Sequence, residues 1–186
     1  METTTVMNES SKKTTETTNW VLDPTHSEVH FKVKHLMITN VTGSFNVLSA
    51  TVEADEKFTN AKVNFTADIN SIHTGNEQRD GHLKSADFFE AEKFPHITFE
   101  TTHYNAAEGK MNGNLTMKGI SKPISLEVEF NGTNKDPYGN FKAGFSLNGK
   151  INRKDWGLNW NAALETGGLM VSEEVKLSAE IQLVRK

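Results

Sequence analysis

The chain has 186 residues, of which 35% are hydrophobic and 24% are charged, and its formal net charge is −4. That length suits one domain, or one domain with a tail. The mixed charges lack the basic footprint of a nucleic-acid-binding protein. The chain has no cysteine, which excludes disulfides, thiolate metal sites and cysteine nucleophiles.

The N-terminal 18 residues are rich in Thr, Ser, Glu and Lys, and apart from Met1 only Val6 and Met7 are larger apolar side chains. Such a segment buries too little apolar surface to offset the entropy lost on ordering. We therefore predict a disordered tail over residues 1–18 and a folded domain over residues 19–186. The sequence contains neither the apolar core of a secretory signal nor a run long enough to span a membrane, so we expect a cytoplasmic location without an integral membrane segment.

From Trp20 onward, apolar and polar residues alternate in short runs, a pattern typical of strands with one buried face. There are about eight such runs, whose apolar residues lie within 29–33, 45–52, 63–69, 97–99, 115–117, 124–130, 141–147 and 175–183. The parity of the alternation changes between Val47 and Leu48, which indicates a bulge or bend.

Turn-forming residues separate the later runs, at Glu108-Gly109, Lys118-Gly119 and residues 137–140. Short turns imply antiparallel neighbours. A sheet with one apolar face has to fold over that face, so the pattern predicts an all-β sandwich or a closed barrel.

The stretch from Gly75 to Glu92 breaks the alternation. Asn76 can cap a short helix there, and a loop ending at Pro95 follows. Because Phe88 and Phe89 need burial, we expect this insertion to cover one barrel end as a lid.

The interior of an eight-stranded barrel is either filled by side chains or holds one ligand. The inward positions mix Phe and Val with the small residues Ala67, Ala143 and Ala179. This pattern is compatible with a filled core and with a cavity.

Five separated segments resemble the YceI-like family in order, spacing and identity. They are residues 20–35 with 41–45, residues 72–89 with Phe94-Pro95, residues 113–124, residues 151–158 and residues 171–175. The resemblance covers residues 20–186 and implies an extended lipocalin-like antiparallel β-barrel with a hydrophobic tunnel. It also implies a long amphiphilic ligand, such as a polyisoprenoid, a quinone-type or prenyl-phosphate molecule, or a fatty amide. Many members of this family are periplasmic, whereas we expect no signal peptide in this sequence and therefore a cytoplasmic location.

We therefore predict a protein that binds and carries or sequesters a long-chain amphiphilic lipid, with no cofactor, no metal and no catalytic residues. The predicted ligand-binding residues are inward-facing strand residues and two polar residues of the insertion: Phe31, Val33, Phe45, Phe65, Ala67, Phe99, Leu126, Val128, Ala143, Phe145, Ile181, Arg79 and His82. Two alternatives remain, an enzyme acting on a lipid head group and an interaction domain with a filled core. A homodimer and a role in stress are also compatible with the sequence.

The densest polar cluster comprises Arg79, Asp80, His82, Lys84 and Asp87. In one interpretation it forms a mouth that contacts a lipid head group, with the planar guanidinium of Arg79 on a phosphate. In the other it is a capping and ion-pair network that attaches the insertion to the barrel. The two aspartates would oppose a phosphate and so favour the second interpretation.

Other polar residues have simpler interpretations. Alternation along a strand separates His35 from His26 and His30, which argues against a metal site. Two Ser/His/Asp sets lack the glycine pattern around a nucleophilic serine, and these are Asp23, His26 and Ser27, and His82, Ser85 and Asp87.

The segment around Arg153 is expected to form a corner of the barrel. Arg153 and Asp155 are two residues apart, so on one strand face they would form a salt bridge. Three tryptophans are expected to pack at the barrel ends with one ring edge in water, and these are Trp20, Trp156 and Trp160.

Overall fold

The structure is a computed structural model, and it describes residues 16–186. The tail predicted over residues 1–18 lies mostly outside this range, and Thr18 begins the first strand. The elements are β1 (Thr18–Leu22), β2 (Glu28–His35), β3 (Thr39–Phe45), β4 (Leu48–Ala54), β5 (Ala61–Asp68), β6 (Ile72–His73), α1 (Glu77–Lys84), β7 (His96–Asn105), β8 (Lys110–Met117), β9 (Ile120–Lys135), β10 (Phe141–Asn152) and β11 (Glu174–Arg185). Two 3-10 turns lie at Ile69–Ser71 and Arg153–Trp156.

Eight strands close into an antiparallel barrel in the spatial order β1, β4, β5, β7, β8, β9, β10, β11 and back to β1. The closing strand is β11, which pairs with β10 along one side and with two successive strands along the other. Near its end Val184 pairs with Val21 of β1, and near its start Leu177 pairs with Phe31 of β2. The predicted all-β barrel of eight strands with a short helix is confirmed.

The structure has three more strands than the closed barrel needs, because long strands are interrupted. β3 ends at Phe45 and β4 begins at Leu48, so the change of parity in the sequence marks a break between two strands. Val47 lies in this break, and its backbone N–H donates to the Ser71 hydroxyl at 3.0 Å. The side chain of Val47 is exposed. Continued alternation from Phe45 predicted that it would face inward, and that prediction is wrong because the strand ends at Phe45.

Tight hairpins join the later strands at the positions the sequence predicted. Lys118 (φ 51°) and Gly119 (φ 72°) form the two-residue connection between β8 and β9, and both have the positive φ that a type I′ turn requires. In the turn between β9 and β10, the Asp136 carboxylate accepts hydrogen bonds from the backbone N–H groups of Tyr138 and Asn140, each at 2.9 Å.

An aromatic plug closes one end of the barrel, and the loop between β4 and β5 supplies its central ring. The ring of Phe58 is 1% exposed, and its centroid lies 5.0 Å from those of Trp20 and Phe145 and 5.3 Å from that of Phe130. Aromatic pairs at these separations stabilise by about 0.5–1.5 kcal/mol each beyond the area they bury. This end of the lumen is therefore filled by the protein's own side chains.

The Asp55 carboxylate holds the plug loop in place. It accepts hydrogen bonds from the backbone N–H groups of Lys57, Thr59 and Asn60 and from the Thr59 hydroxyl. Burial would raise the pKa of Asp55, but these hydrogen bonds outweigh it and lower the pKa below its ordinary value. The network offsets the left-handed backbone of Phe58 (φ 51°), a conformation that costs roughly 1–2 kcal/mol in a non-glycine residue.

The opposite end of the barrel carries the helical insertion. The Asn76 side chain caps α1 by accepting a hydrogen bond from the backbone N–H of Arg79 at 2.9 Å, as the sequence predicted. Phe88 and Phe89 are buried, and Phe94 packs against Gly119 in the β8–β9 turn. The insertion therefore covers a barrel end, where the sequence placed it. Within residues 16–186, no helix has the length and apolar character needed to cross a bilayer.

Asp23 fastens the turn between β1 and β2 to the closing strands. Its carboxylate accepts hydrogen bonds from Lys142 Nζ of β10 at 2.8 Å and from Gln182 Nε2 of β11 at 2.9 Å. Thr25 and His26, in the turn itself, bond to the same carboxylate. The Lys142 ammonium and the hydrogen bond from Thr25 hold the pKa of Asp23 far below its usual range.

A depressed carboxyl pKa makes Asp23 a source of pH-dependent stability. Its contribution is complete above the unfolded-state pKa of about 4 and is lost as the pH falls toward the lower folded-state pKa, because the unfolded chain then binds the proton more readily. We expect Asp23→Asn to lower the free energy of unfolding at pH 7 and to flatten its decline between about pH 4 and pH 2. Urea unfolding across this pH range measures both effects, and parallel pH profiles for the two proteins would contradict the assignment.

Candidate ligand-binding cavity

The barrel encloses an apolar cavity of about 400 Å³, to which all eight barrel strands contribute side chains. Sites for small molecules occupy roughly 300–1,000 Å³ and are lined mainly by apolar and aromatic residues. The cavity has both properties. Its lining suits an apolar ligand better than a polar one.

The residues predicted from alternation meet in this cavity. All of the predicted ligand-binding residues except Ala143 line it, namely Phe31, Val33, Phe45, Phe65, Ala67, Phe99, Leu126, Val128, Phe145, Ile181, Arg79 and His82. Their position in the lumen follows from the barrel, whereas their contact with a ligand stays a prediction.

Ala143 is the exception. It is buried but does not line the cavity. It precedes Phe145 by two residues on β10 and pairs with Leu183, so it lies nearer the end that the Phe58 plug fills. Alternation placed its side chain correctly inside the barrel, but the periodicity carries no information about height along the barrel axis.

The cavity reaches solvent beside the helical insertion. Arg79 is exposed and lines the cavity, and the ring of His82 is half-buried on the same helix. Across from them are His35, at the end of β2, and Trp160 and Val171, in the segment between β10 and β11. We call this opening, formed by α1, the end of β2 and residues 157–173, the mouth.

The polar cluster of α1 mainly fastens the insertion to the barrel. The Arg79 guanidinium donates from Nε to the Thr74 hydroxyl and from Nη2 to the Thr74 carbonyl oxygen, both at 2.8 Å. The buried Asp80 carboxylate accepts from the Thr74 backbone N–H at 3.0 Å, and His73 Nδ1 lies 3.8 Å from it. These contacts match the network interpretation, while Arg79 also keeps one side toward the cavity.

His82 connects the insertion to the segment on the other side of the mouth. Its Nε2 lies 2.8 Å from an oxygen of Asp87, and its ring meets those of Trp160 and Phe88 edge-on at centroid distances of 4.8 and 5.1 Å. Because Trp160 belongs to the β10–β11 segment, the imidazole bridges two loops that no strand pairing joins.

Arg153 is a buried cation at the mouth and was not predicted as such. It is 3% exposed, and its guanidinium donates to the carbonyl oxygens of Leu158, Trp160, Val171 and Ser172. Burial lowers its pKa, and the nearby charge of Glu173 opposes that effect. These four bonds hold residues 157–172 over the cavity.

The salt bridge expected between Arg153 and Asp155 does not form. Residues 153–156 make a 3-10 turn instead of a strand, so the two side chains do not share a face. The ion pair at this corner joins Lys154 and Glu173, with 2.7 Å between Nζ and the carboxylate.

The tryptophans pack at the barrel ends, but two of them are more deeply buried than predicted. Trp156 is buried and its Nε1 donates to the Leu115 carbonyl oxygen at 2.9 Å. Trp20 is buried in the plug, where its Nε1 has no hydrogen-bond partner among residues 16–186. Trp160 is half-buried at the mouth. The expectation of a wet ring edge therefore fails for Trp20 and Trp156, because the plug and the 3-10 turn cover them.

In neither Ser/His/Asp set does the serine hydroxyl hydrogen-bond to the histidine ring. The Ser27 hydroxyl donates to the Gln182 carbonyl oxygen, and the Ser85 hydroxyl donates to the backbone carbonyl oxygen of His82. Ser85 stabilises the end of α1, as short polar side chains commonly do, and Ser27 ties the β1–β2 turn to β11, whose Gln182 N–H donates back to its hydroxyl. The described part of the chain also contains no group of three His, Asp or Glu side chains placed to share a metal ion.

Several cavity residues were not singled out from the sequence. Leu147, Ile97 and Leu177 belong to alternating runs, so their parity was a usable signal. Leu158 and Met170 come from the segment between β10 and β11, which has no periodicity. No local pattern could have placed that segment over the cavity.

Comparison with known proteins agrees with this architecture. The UPF0312 protein SA2479 of Staphylococcus aureus (strain N315) is 44% identical over 167 residues, covering 89% of this chain and 96% of the relative. A crystal structure of a Campylobacter jejuni YCEI protein superimposes with a TM-score of 0.72 at 38% identity, covering 83% of this chain and 91% of that one.

More distant structures share the fold. BcnA of Burkholderia cenocepacia has a TM-score of 0.74 at 22% identity, covering 87% of this chain and 98% of that one. A polyisoprenoid binding domain from Saccharophagus degradans has a TM-score of 0.63 at 18% identity, covering 90% and 98%. The model of the YceI-like domain matches residues 20–183, and with the relatives above it shows that the chain belongs to the YceI-like family.

Proposed function

We propose that this protein binds a long-chain amphiphilic lipid, of the polyisoprenoid or quinone type, in the barrel interior and carries or sequesters it. The observation that carries the proposal is the apolar cavity of about 400 Å³, plugged at one end and reaching solvent at the mouth. A ligand with an apolar tail and a polar head would enter tail first. The head would then remain near Arg79 and His82.

Three inward-facing glycines explain why the lumen is hollow. A Cβ on Gly43 would clash with the ring of Phe31, one on Gly113 with the ring of Phe99, and one on Gly149 with Leu126. Each large side chain therefore lies flat along the wall over a glycine. Glycine within a strand commonly marks such close approach. The wall is apolar, yet the side chains do not meet in the middle.

Desolvation of the tail supplies most of the binding free energy in this proposal. Each methylene removed from water contributes about 0.8 kcal/mol. Association and ordering oppose binding by roughly 4–15 kcal/mol, so a tail of many carbons is needed. An exposed ion pair at the rim adds only about 0–1 kcal/mol, so the head group mainly sets orientation.

Two further observations support the proposal. The Saccharophagus degradans structure with this fold is described as a polyisoprenoid binding domain, although at 18% identity the likeness extends to the fold alone. The two Ser/His/Asp sets direct their serine hydroxyls to backbone carbonyls, which favours binding over catalysis as the role of the chain.

Native mass spectrometry of the purified protein should reveal a bound apolar molecule. After extraction of that molecule, affinity for added prenyl or fatty alcohols should rise about fourfold per methylene until the chain fills the cavity, and then level off. Displacement of a fluorescent probe measures the series. Affinities independent of chain length, or no uptake at all, would contradict the proposal.

Ala179 offers a position for blocking the cavity. It faces the lumen from the middle of β11, so we expect Ala179→Trp to fill the cavity and reduce lipid uptake about tenfold or more while the barrel still folds. Thr51→Trp, at an exposed position of β4 outside the cavity lining, is the matched control and should leave uptake unchanged. Equal uptake by both variants would show that the ligand does not occupy the lumen.

Gly43 tests the reason for the hollow lumen. Gly43→Ala should displace the Phe31 ring toward the cavity, destabilise the barrel by about 1–3 kcal/mol and weaken lipid binding. Adding Phe31→Leu should restore binding, because the smaller side chain no longer meets the new methyl group. Gly144→Ala is the control, since its Cβ would meet only Asn131 at an ordinary 3.6 Å. A Gly43→Ala protein with unaltered lipid affinity would refute this account.

A further inference from the structure

The tip of the β2–β3 hairpin is an exposed apolar element at the mouth. Ile38 is 84% exposed and Met37 is 52% exposed. The adjacent Leu36 donates its backbone N–H to the Met170 carbonyl oxygen at 2.8 Å, which joins the tip to the β10–β11 segment. Leu169, in that segment, is also an exposed large apolar residue. Together these residues, which we call the apolar tip, form the rim beside His35, a residue that lines the cavity.

Stability does not account for the composition of this tip. Leu36 (φ 51°) and Met37 (φ 60°) both adopt the left-handed conformation, which Gly and Asn tolerate best. The hairpin therefore carries two unfavourable backbone conformations at residues that also leave apolar surface in water. Exposed apolar surface next to a ligand entrance commonly marks a contact site.

The outer wall next to the tip carries a row of lysines on three neighbouring strands. Lys150 of β10 pairs in register with Lys176 of β11, which pairs in register with Lys32 of β2. Lys34 follows on the same exposed face, one residue before His35. Like charges directly opposite one another destabilise a sheet, so this row costs stability.

A row of glutamates lies farther from the mouth, on β2, β11 and β9. Glu180 pairs in register with Glu28 and, on its other side, with Ser146, which in turn pairs with Glu129. The two rows are four residues apart, or about 13 Å along the strands. The basic row thus lies nearer the mouth than the acidic row. Pairs of opposite charge at these positions would have stabilised the sheet, and pairs of like charge do not.

Two carboxylates of the β10–β11 corner already have lysine partners, one outside the row and one at its end. Glu173 bonds to Lys154 at 2.7 Å, and Glu174 lies 3.9 Å from Lys150. Within residues 16–186, no carboxylate lies within 4.0 Å of the ammonium groups of Lys32, Lys34 or Lys176. Glu165, in the β10–β11 segment, also makes no ion pair with these lysines.

We propose that the apolar tip and the lysine row dock the mouth onto an anionic lipid bilayer, so that ligand passes between bilayer and cavity without crossing water. Proteins bind anionic membranes by inserting apolar side chains into the lipid headgroup region and placing basic residues beside them. A protein partner would need neither the continuity of the tip with a lipid-sized cavity nor a row of lysines beside that tip. The inference rests on the proposed function, because it assigns the surface from which the same cavity fills.

Vesicle flotation tests the docking surface in the absence of added ligand. The full chain should float with phosphatidylcholine vesicles that contain phosphatidylglycerol, bind weakly to pure phosphatidylcholine, and lose binding at high ionic strength. Ile38→Asp should weaken binding about tenfold or more without lowering the melting temperature, since this side chain is exposed. Each lysine near an anionic surface contributes about a fivefold change, so Lys32→Glu with Lys34→Glu should reduce binding by at least about twenty-fold.

Matched controls lie at the plugged end of the barrel. Tyr138→Asp changes a side chain that is 90% exposed in the β9–β10 turn, and Lys57→Glu with Lys62→Glu reverses two exposed lysines there. All of these should float like the unaltered protein. Equal losses in the control and tip variants, or no flotation of the unaltered protein, would overturn the proposal. It would also be overturned if Ile38→Asp only converted a dimer to a monomer in sedimentation.

The cavity-blocked Ala179→Trp variant separates the two proposals. It should float normally while failing to take up lipid, and loss of flotation would mean that docking depends on the ligand and not on the tip. Uptake from a cyclodextrin complex bypasses the bilayer, so Ile38→Asp should take up lipid normally from cyclodextrin but slowly from anionic vesicles. Normal flotation without uptake from either source refutes the lipid-carrier function and leaves the docking surface intact.

Discussion

The hydrogen bonding of β11 to two successive strands is the interaction on which the structure depends. With β10 on one side, β11 pairs with β2 near its start and with β1 near its end, and this second pairing closes the sheet. The chain has to turn between β1 and β2 for both pairings to form. The Asp23 carboxylate stabilises that turn by binding Lys142 and Gln182 from the two closing strands.

Closure has a direct consequence for the interior. Every strand turns its apolar residues toward one lumen, and a closed barrel removes the exposed edges that would otherwise invite aggregation. The glycines at 43, 113 and 149 let neighbouring large side chains lie along the wall, so the lumen is apolar but not filled by side chains. The same apolar residues that stabilise the barrel therefore line the candidate cavity.

The two barrel ends differ in both structure and chemistry. At one end, Phe58 and its aromatic neighbours fill the lumen, and Asp55 fixes their loop. At the other, Arg153 and His82 hold two loops around an opening instead of filling it. On β2 and β11 a row of lysines lies toward the opening, and a row of glutamates lies four residues farther from it. The two ends of the barrel are thus distinct, one filled and one open, although a closed barrel does not require this difference.

The sequence alone determined which residues of each strand face inward, where the hairpins turn, that a short helix follows Asn76, and to which family the chain is similar. These properties are local, because alternation and turn chemistry act between near neighbours. Alternation failed at Val47, where a strand breaks, and could not tell that Ala143 sits at the plugged end. Both outcomes depend on strands that are distant in the chain.

The tertiary structure decided the properties that concern the site. It buried Arg153 against four carbonyl groups of one loop, brought Trp160 against His82, and placed Lys176 beside Lys32. The register between distant strands sets each of these contacts, and register follows from closing the whole sheet at once. For the same physical reason, the empty volume inside the barrel, which depends on how every wall residue packs against its neighbours, could be seen only in the folded molecule.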